Sequence, residues 1–144
     1  MKVYLDTSVV LSYYLEGSDI LDRVPVGASV GSSRLLWVEL ARVLERAIRS
    51  NRLSPEDAVG IRRGFEETAK TIDRLRISES VLRRAEGSFP IIIRSLDALH
   101  LASAALWCEP APASDLAVWT LDRQFNLCAA AMGFATPLLD SLES

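Results

Sequence analysis

Short apolar runs alternate with segments of helical period along this chain, and that alternation restricts the fold more than anything else in it. KVYLD at 2–6 reads as a strand, and the SVVLSYYLEG after it reads as a helix closed by Gly17. GASVGSS at 27–33 reads as a second strand, built of small residues. RLLWVELARVLERAIRS then sets Leu36, Leu40, Val43, Leu44, Ala47 and Ile48 at helical spacing, with Ser32 or Ser33 as its cap. The next segment, SPEDAVGIRRGFEETAK, carries a full helix start: Ser54 as cap, Pro55 first, and Glu56 and Asp57 in the first turn. Its apolar face of Ile61, Phe65 and Ala69 is thin.

Beyond residue 72, IDRLRIS reads as extended, SESVLRRAEG as a short capped helix, and SLDALHLASAALW as a helix apolar nearly all round, which implies burial. EPAPASD at 109–115 is a surface loop, LAVWT a compact strand, DRQFNLCAAAMG a helix ending at Gly133, and FATPLL a final extended piece. Strands alternating with helices in this way predict an α/β fold, a central and mainly parallel sheet flanked by helices. A length of 144 residues at 49% hydrophobic content suits one domain over 1–144. There is no internal repeat, low-complexity tract or heptad seam.

No stretch reaches the roughly 18 apolar residues of a membrane span, and the first residues are too polar for a signal peptide, so no membrane partner and a cytoplasmic location are expected. Cys108 and Cys128 show no metal or redox spacing and read as buried or incidental thiols. A net charge of −3 speaks against a nucleic-acid partner on its face, because phosphate binding rests on excess Lys and Arg. Yet Lys occurs only at 2 and 70, so fourteen of the sixteen basic residues are Arg, whose planar fork suits phosphate. Genome composition produces the same bias. The acidity opens another route, in which carboxylates hold metal cations that then meet an anionic substrate.

In an open parallel sheet, ligands bind at the carboxyl ends of the strands. Asp6 stands at that end of the first strand, and Asp122 stands just past LAVWT with Thr120 beside it. Asp97 begins the buried helix, and Glu39 lies where the apolar stripe of its helix meets the Arg42, Arg46 and Arg49 face. Singly, each acid has an ordinary role: Asp6 and Asp122 as helix caps, Asp97 as a complement to the helix dipole, Glu39 as a partner of Arg42. Gathered at one edge, four ionised acids repel one another, and the grouping makes sense with a divalent cation present. Oxygen ligands without a His or Cys cluster favour Mg²⁺ or Mn²⁺ over Zn²⁺. Such ions bind phosphates and activate water, with two of them about 3.5–4 Å apart where both attacking and leaving oxygens are stabilised. His100, the only histidine, reads as a satisfied core or supporting residue rather than a catalytic one, and Trp37, Trp107 and Trp119 read as core.

LDTSVVL around Asp6, WVELARVLER around Glu39, RSLDALHLASA around Asp97 and WTLDRQFNLCAAAMGF around Asp122 together resemble the PIN-domain ribonucleases, in particular the VapC-like toxins of bacterial and archaeal toxin–antitoxin pairs. The resemblance spans nearly the whole chain in order and spacing. It implies a PIN-like α/β/α sandwich whose acidic pocket binds Mg²⁺ or Mn²⁺ and hydrolyses RNA endonucleolytically. By that resemblance Asp6, Glu39, Asp97 and Asp122 match the family's catalytic and metal-binding quartet. Ser8 and Thr120 match hydroxyl positions near the metal, and Arg94 a basic position three residues before the third acid. Gln124 stands where the family often carries a further acid, which leaves open whether one ion or two would bind.

On this reading Asp6 follows its strand at once because a ligand belongs on a rigid element, with the hydroxyls of Thr7 and Ser8 orienting it and Ser8 also capping the helix. The implied partners are an RNA, with tRNA and rRNA as candidates, an antitoxin that blocks the pocket with a helix or arm carrying a basic side chain, and a second copy of the chain. The apolar surface of the helices at 35–50 and 54–70 could serve either protein partner. Arg94 is the candidate for contact with the RNA backbone, while Arg23, Arg34 and Arg52 read as solvated surface. Two other folds that start with an acid after the first strand lose a residue they need: a haloacid-dehalogenase-like phosphatase wants a second acid where Ser8 stands, and a response-regulator receiver wants a lysine late in the sheet. A catalytically silent interaction domain and a non-toxin RNA-processing nuclease are the alternatives that keep the same fold.

Overall fold

The computed structural model describes residues 1–143. Four strands, β1 (Lys2–Leu5), β2 (Ser29–Ser33), β3 (Ile72–Leu75) and β4 (Leu116–Trp119), form one sheet in the order β3-β2-β1-β4, and every pair is parallel. The helices among the described residues are α1 (Thr7–Glu16), α2 (Leu35–Arg49), α3 (Pro55–Ala69), α4 (Glu79–Ala85), α5 (Ser95–Cys108), α6 (Arg123–Ala131) and α7 (Leu139–Glu143). The predicted α/β architecture is therefore the observed one.

Strand period sorts the core into two layers. Val3 and Leu5 of β1 and Ala117 and Trp119 of β4 pack on one face with Val9, Val10, Leu36, Leu40, Leu44 and Phe65 from α1, α2 and α3. Tyr4, Leu116 and Val118 face the other way, against Leu101 and Ala104 of α5 and Phe125 and Cys128 of α6. Burial on both faces is why LAVW has no polar alternation. Each fully buried Leu, Val or Phe here contributes about 1.5–3 kcal/mol. At Gly31 a Cβ would stand 2.8 Å from the Trp107 ring, so only glycine lets α5 lie this close to β2.

Local signals account for the starts of α3, α4 and α6, capped by Ser54, Ser78 and Asp122, and for the end of α1. Ser54 Oγ accepts the Asp57 N–H at 3.1 Å with Pro55 in the first turn, and Gly17 closes α1 in the left-handed region. The cap position of α2 is Arg34 rather than Ser32 or Ser33; Ser33 Oγ, one residue before it, takes the Leu35 N–H at 3.1 Å, whereas Ser32 Oγ donates to the Leu5 carbonyl at 2.6 Å and so serves the sheet. Both cysteines are buried and neither forms a disulfide; the Cys108 thiol donates to the Pro112 carbonyl at 3.3 Å and the Cys128 thiol to the Ile91 carbonyl at 3.8 Å.

Several expectations are corrected. FATPLL pairs with β4 only through Ala135, which bridges Ala117; Pro137 has no N–H with which to continue the ladder, and the chain turns into α7. Two 3₁₀ turns, Ile20–Arg23 and Ala113–Asp115, went unpredicted because each is too short to show a period. Trp119 is core, but Trp37 and Trp107 are half-buried: Trp37 lies under the guanidinium groups of Arg34 and Arg74, and Trp107 under Lys2 Nζ. Among the described residues, no helix is long and apolar enough to cross a membrane.

The strand order places a topological switch beside β1. The chain steps outward from β1 to β2 and β3, then returns to the opposite side of β1 as β4. The crevice beyond the carboxyl ends of β1 and β4 is where such sheets hold ligands.

Candidate active site

Asp6 is the first residue beyond β1, and its N–H donates to the Trp119 carbonyl at 2.9 Å, so its backbone is held by the ladder between β1 and β4. The side chain is equally constrained. Its Oδ2 accepts Ser8 Oγ and Thr120 Oγ1, each at 2.7 Å. Those hydroxyls are in turn fixed by the turn after β4: the Leu121 N–H donates to Ser8 Oγ at 3.0 Å and the Asp122 N–H to Thr120 Oγ1 at 3.1 Å. Two backbone donors thus act on Asp6 through two hydroxyls, an arrangement that fixes the orientation of its carboxylate. Asp6 occupies the cap position of α1 but makes no side-chain cap bond, and Ser8, expected as a cap, spends its hydroxyl on Asp6 instead. Thr7, expected beside Asp6, turns away to donate to Glu39 Oε1 at 2.8 Å.

Glu39 leans from α2 toward the sheet edge, as its wheel position predicts. It does not pair with Arg42, which binds Glu45 at 2.7 Å on the exposed face. Its partner is His100 of α5, whose Nε2 lies 2.7 Å from Glu39 Oε1 and 3.7 Å from Asp6 Oδ1. Burial pushes the Glu39 carboxyl up, but the hydrogen bond and electrostatic pull of His100, with the Thr7 hydroxyl, outweigh it and hold the group below the usual glutamate value. His100 is itself buried, with Nδ1 at 2.6 Å from Tyr4 Oη.

Asp97 and Asp122 are gathered by one cation. Arg94 Nε lies 3.4 Å from Asp97 Oδ2 and Arg94 Nη2 lies 3.1 Å from Asp122 Oδ2. Asp97 stands in the first turn of α5, and Asp122 caps α6, its Oδ1 accepting the Phe125 N–H at 2.8 Å. Both ordinary roles are real and leave the second oxygen of Asp122 to the pocket. Burial raises the Asp97 carboxyl above the usual aspartate range; Arg94 pulls it down, and the charges of Asp6 and Asp122 add to the rise. Those charges reach Asp97 because the carboxylates share one mouth, where cavities of about 320 and 420 Å³ are lined by Arg94 and Asp97 together with Asp122 and Gln124 in one and Glu39 in the other.

The seven candidate residues Asp6, Ser8, Glu39, Arg94, Asp97, Thr120 and Asp122 therefore meet at the β1–β4 switch. Arg23, Arg34 and Arg52 do not join them; Arg23 pairs with Asp19 and Arg52 with Ser50. Gln124 borders the mouth, but its amide donates to the Ile92 carbonyl at 3.2 Å. As placed, no group of three or more His, Cys, Asp or Glu side chains among the described residues is spaced to hold a metal ion. The acids stand as two pairs, Asp6 with Glu39 about His100 and Asp97 with Asp122 about Arg94. Their donor chemistry still fits a hard divalent cation: every donor atom the four acids offer is a carboxylate oxygen, and the Asp97 carboxyl, raised first by burial, also feels the charges of Asp6 and Asp122. The Arg94 side chain is 80% exposed, so it can leave at little cost.

Sequence reasoning missed the roles of Tyr4, Thr7 toward Glu39, and Asn126, whose Nδ2 donates to the Thr120 carbonyl at 2.8 Å and steadies that turn. One signal was available for Tyr4: a tyrosine inside a buried strand must find a partner for its hydroxyl.

Residues 3–129 match the family model of the PIN domain. No curated protein matches in sequence. Among solved structures, the fold is shared with a chain of VapBC2 from Rickettsia felis bound to a DNA fragment from their promoter, at TM-score 0.62 and 13% identity over 89% of this chain and 93% of that one. It is shared also with a chain of a toxin–antitoxin complex from Klebsiella pneumoniae, at TM-score 0.54 and 17% identity over 85% of this chain and 88% of that one.

Proposed function

The chain belongs to the PIN domain family, and from that premise we propose that it is a Mg²⁺- or Mn²⁺-dependent endoribonuclease acting as the toxin of a toxin–antitoxin pair. The observation that carries this reading is the delivery of Asp6, Glu39, Asp97 and Asp122, from four separate elements, to the switch point of a parallel sheet. A fold alone does not give a function, and what supports this one is a set of acids braced by hydroxyls and backbone amides at the ligand edge.

Asp6, Glu39, Asp97 and Asp122 would hold the cation. When bound there, a divalent ion supplies charge stabilisation to phosphoryl oxygens and a water of lowered pKa. The protein's part is order. Ser8 and Thr120 fix Asp6 by one oxygen, Thr7 and His100 fix Glu39 by one oxygen, and the Phe125 N–H fixes Asp122 by one oxygen. Arg94, once released from Asp97 and Asp122, is the charge nearest to an incoming phosphate and can meet it with two parallel donors. No side chain of the quartet is needed as the nucleophile.

Partner and substrate are read from the same mouth. Ile92 and Leu96 are exposed on either side of Arg94, an apolar rim on an acidic centre that suits a protein segment carrying a basic side chain, which is what an antitoxin would bring. The toxin–antitoxin complexes that share the fold support that assignment.

The test is cleavage of a mixed tRNA and rRNA pool by purified protein with Mn²⁺, with EDTA, and as Asp6→Asn and Asp97→Asn. Discrete cuts that vanish with chelator and in both variants are expected. Wild type and variants behaving alike would leave a PIN-fold interaction domain.

A further inference from the structure

A buried hydrogen-bonded chain runs from the backbone of β2 to Glu39. The Ser33 N–H donates to Tyr4 Oη at 3.1 Å, Tyr4 Oη meets His100 Nδ1 at 2.6 Å, and His100 Nε2 meets Glu39 Oε1 at 2.7 Å. Tyr4 is 0% exposed and His100 1%, so Tyr4 is out of reach of any substrate or ion. Phe and Leu would fill the same volume without a polar atom to satisfy. The polar choice therefore calls for a reason beyond packing.

The chain has a direction. A backbone N–H can only donate, so Tyr4 Oη accepts from Ser33, and its own hydrogen is available to His100 Nδ1 at 2.6 Å. With Nδ1 accepting, the ring N–H sits on Nε2 and points at Glu39 Oε1, where Thr7 Oγ1 also donates at 2.8 Å. Glu39, an otherwise flexible side chain on a helix surface, thus has one oxygen doubly donated. Its Oε2 is left for the cavity that it lines with Arg94 and Asp97.

We infer that Tyr4 and His100 are positioning residues, a relay of fixed tautomer that anchors Glu39 by Oε1 to the end of β2 and presents Oε2 to a cation in the acidic pocket. The inference rests on the reading of that pocket as a divalent-cation site. It ties the carboxylate on α2 to β1, β2 and α5, so that the ligand set is assembled by the fold before any ion arrives.

Because the chain has a single histidine, its ring nitrogens give one pair of signals in a long-range ¹H–¹⁵N correlation spectrum. In metal-free protein the expected pattern is the Nε2–H tautomer with Nδ1 as an acceptor, and Tyr4→Phe should mix the two tautomers. Calorimetric titration with Mn²⁺ alone then reads the consequence. His100→Leu should weaken binding about 10–100-fold, Tyr4→Phe less, and His100→Gln, whose amide can still donate to Glu39, should recover part of the loss. His100→Leu added to Glu39→Gln should cost nothing more than Glu39→Gln alone.

An Nδ1–H tautomer in the wild type, or wild-type Mn²⁺ affinity in folded Tyr4→Phe and His100→Leu proteins, would overturn the relay. A wild type that binds no Mn²⁺ would overturn the cation site and the role of Oε2 with it. The two failures are distinguishable, since the tautomer is read without metal.

Discussion

Thr120 Oγ1 donates to Asp6 Oδ2 at 2.7 Å, joining the residue that follows β4 to the residue that follows β1 across 114 positions of sequence. The same hydroxyl accepts the Asp122 N–H at 3.1 Å, so it is both a prop for one acid and an anchor for the turn that carries another. Thr120→Val keeps the shape and removes both bonds inside a buried site. It should cost about 1–3 kcal/mol of stability and lower nuclease activity about 10–100-fold, whereas Thr120→Ser should stay close to wild type in both. Urea unfolding alongside a cleavage assay checks this, and a Val variant as active as wild type would remove Thr120 from the site.

Arg94 stands in the mouth as the counter-charge of Asp97 and Asp122, and its side chain is exposed. Exposed pairs contribute about 0–1 kcal/mol, so Arg94→Ala should leave the melting temperature almost unchanged. Two further effects should diverge. Mn²⁺, measured as thermal stabilisation, should bind more tightly without a competing guanidinium, while RNA cleavage should fall at least about tenfold for want of a donor to the phosphate. If both fall together, Arg94 belongs to the ion's support rather than to the substrate's.

The raised Asp97 carboxyl has a sign that a pH series can read. Burial first, then the neighbouring Asp6 and Asp122, hold its proton to higher pH in the folded chain than in the unfolded one. In that window the native state binds more protons, so stability falls as pH rises through it and is fullest below it. Asp97→Asn removes the penalty. It should raise the melting temperature by about 1–4 °C near neutrality in chelator, with the gain disappearing at pH below the aspartate range. Glu39 is shifted the other way by His100 and Thr7 despite its burial, so its contribution is present above the ordinary glutamate range and lost as pH falls. Glu39→Gln should accordingly destabilise near neutrality, where Asp97→Asn stabilises. Thermal unfolding by circular dichroism separates the two.

What was legible in the sequence was whatever is local. The Ser54–Pro55 start of α3 is written in adjacent residues. Asp6 and Asp122 each come just after a strand, so those could be read from order, whereas Arg94, which reaches Asp97 within one turn, was singled out by the family resemblance. Glu39 could be placed on a border, but the partner read for it, Arg42, goes to Glu45, which lies between Arg42 and Arg49 on the same face. The link from Tyr4 to His100 spans 96 positions and that from His100 to Glu39 spans 61, and both depend on how α5 and α2 are rotated against the sheet. No periodicity encodes that rotation, since α5 is apolar on nearly every side. The same limit hid α7, where Pro137 ended a strand-like run and the five residues of the helix are too few to show a period.

Asp122 does two jobs with two oxygens, and substitution can part them. Its Oδ1 caps α6 through the Phe125 N–H at 2.8 Å, and its Oδ2 faces Arg94 at 3.1 Å. Asn retains an oxygen for the cap and loses the charge, while Ala loses both. Asp122→Asn should therefore unfold within about 0.5 kcal/mol of wild type and Asp122→Ala about 1 kcal/mol lower. Both should be equally poor in Mn²⁺-dependent cleavage, because what the pocket needs from this position is the carboxylate. Stability and activity measured on the same preparations decide it: an active Asn variant would mean that the residue serves the fold as a cap and the chemistry not at all.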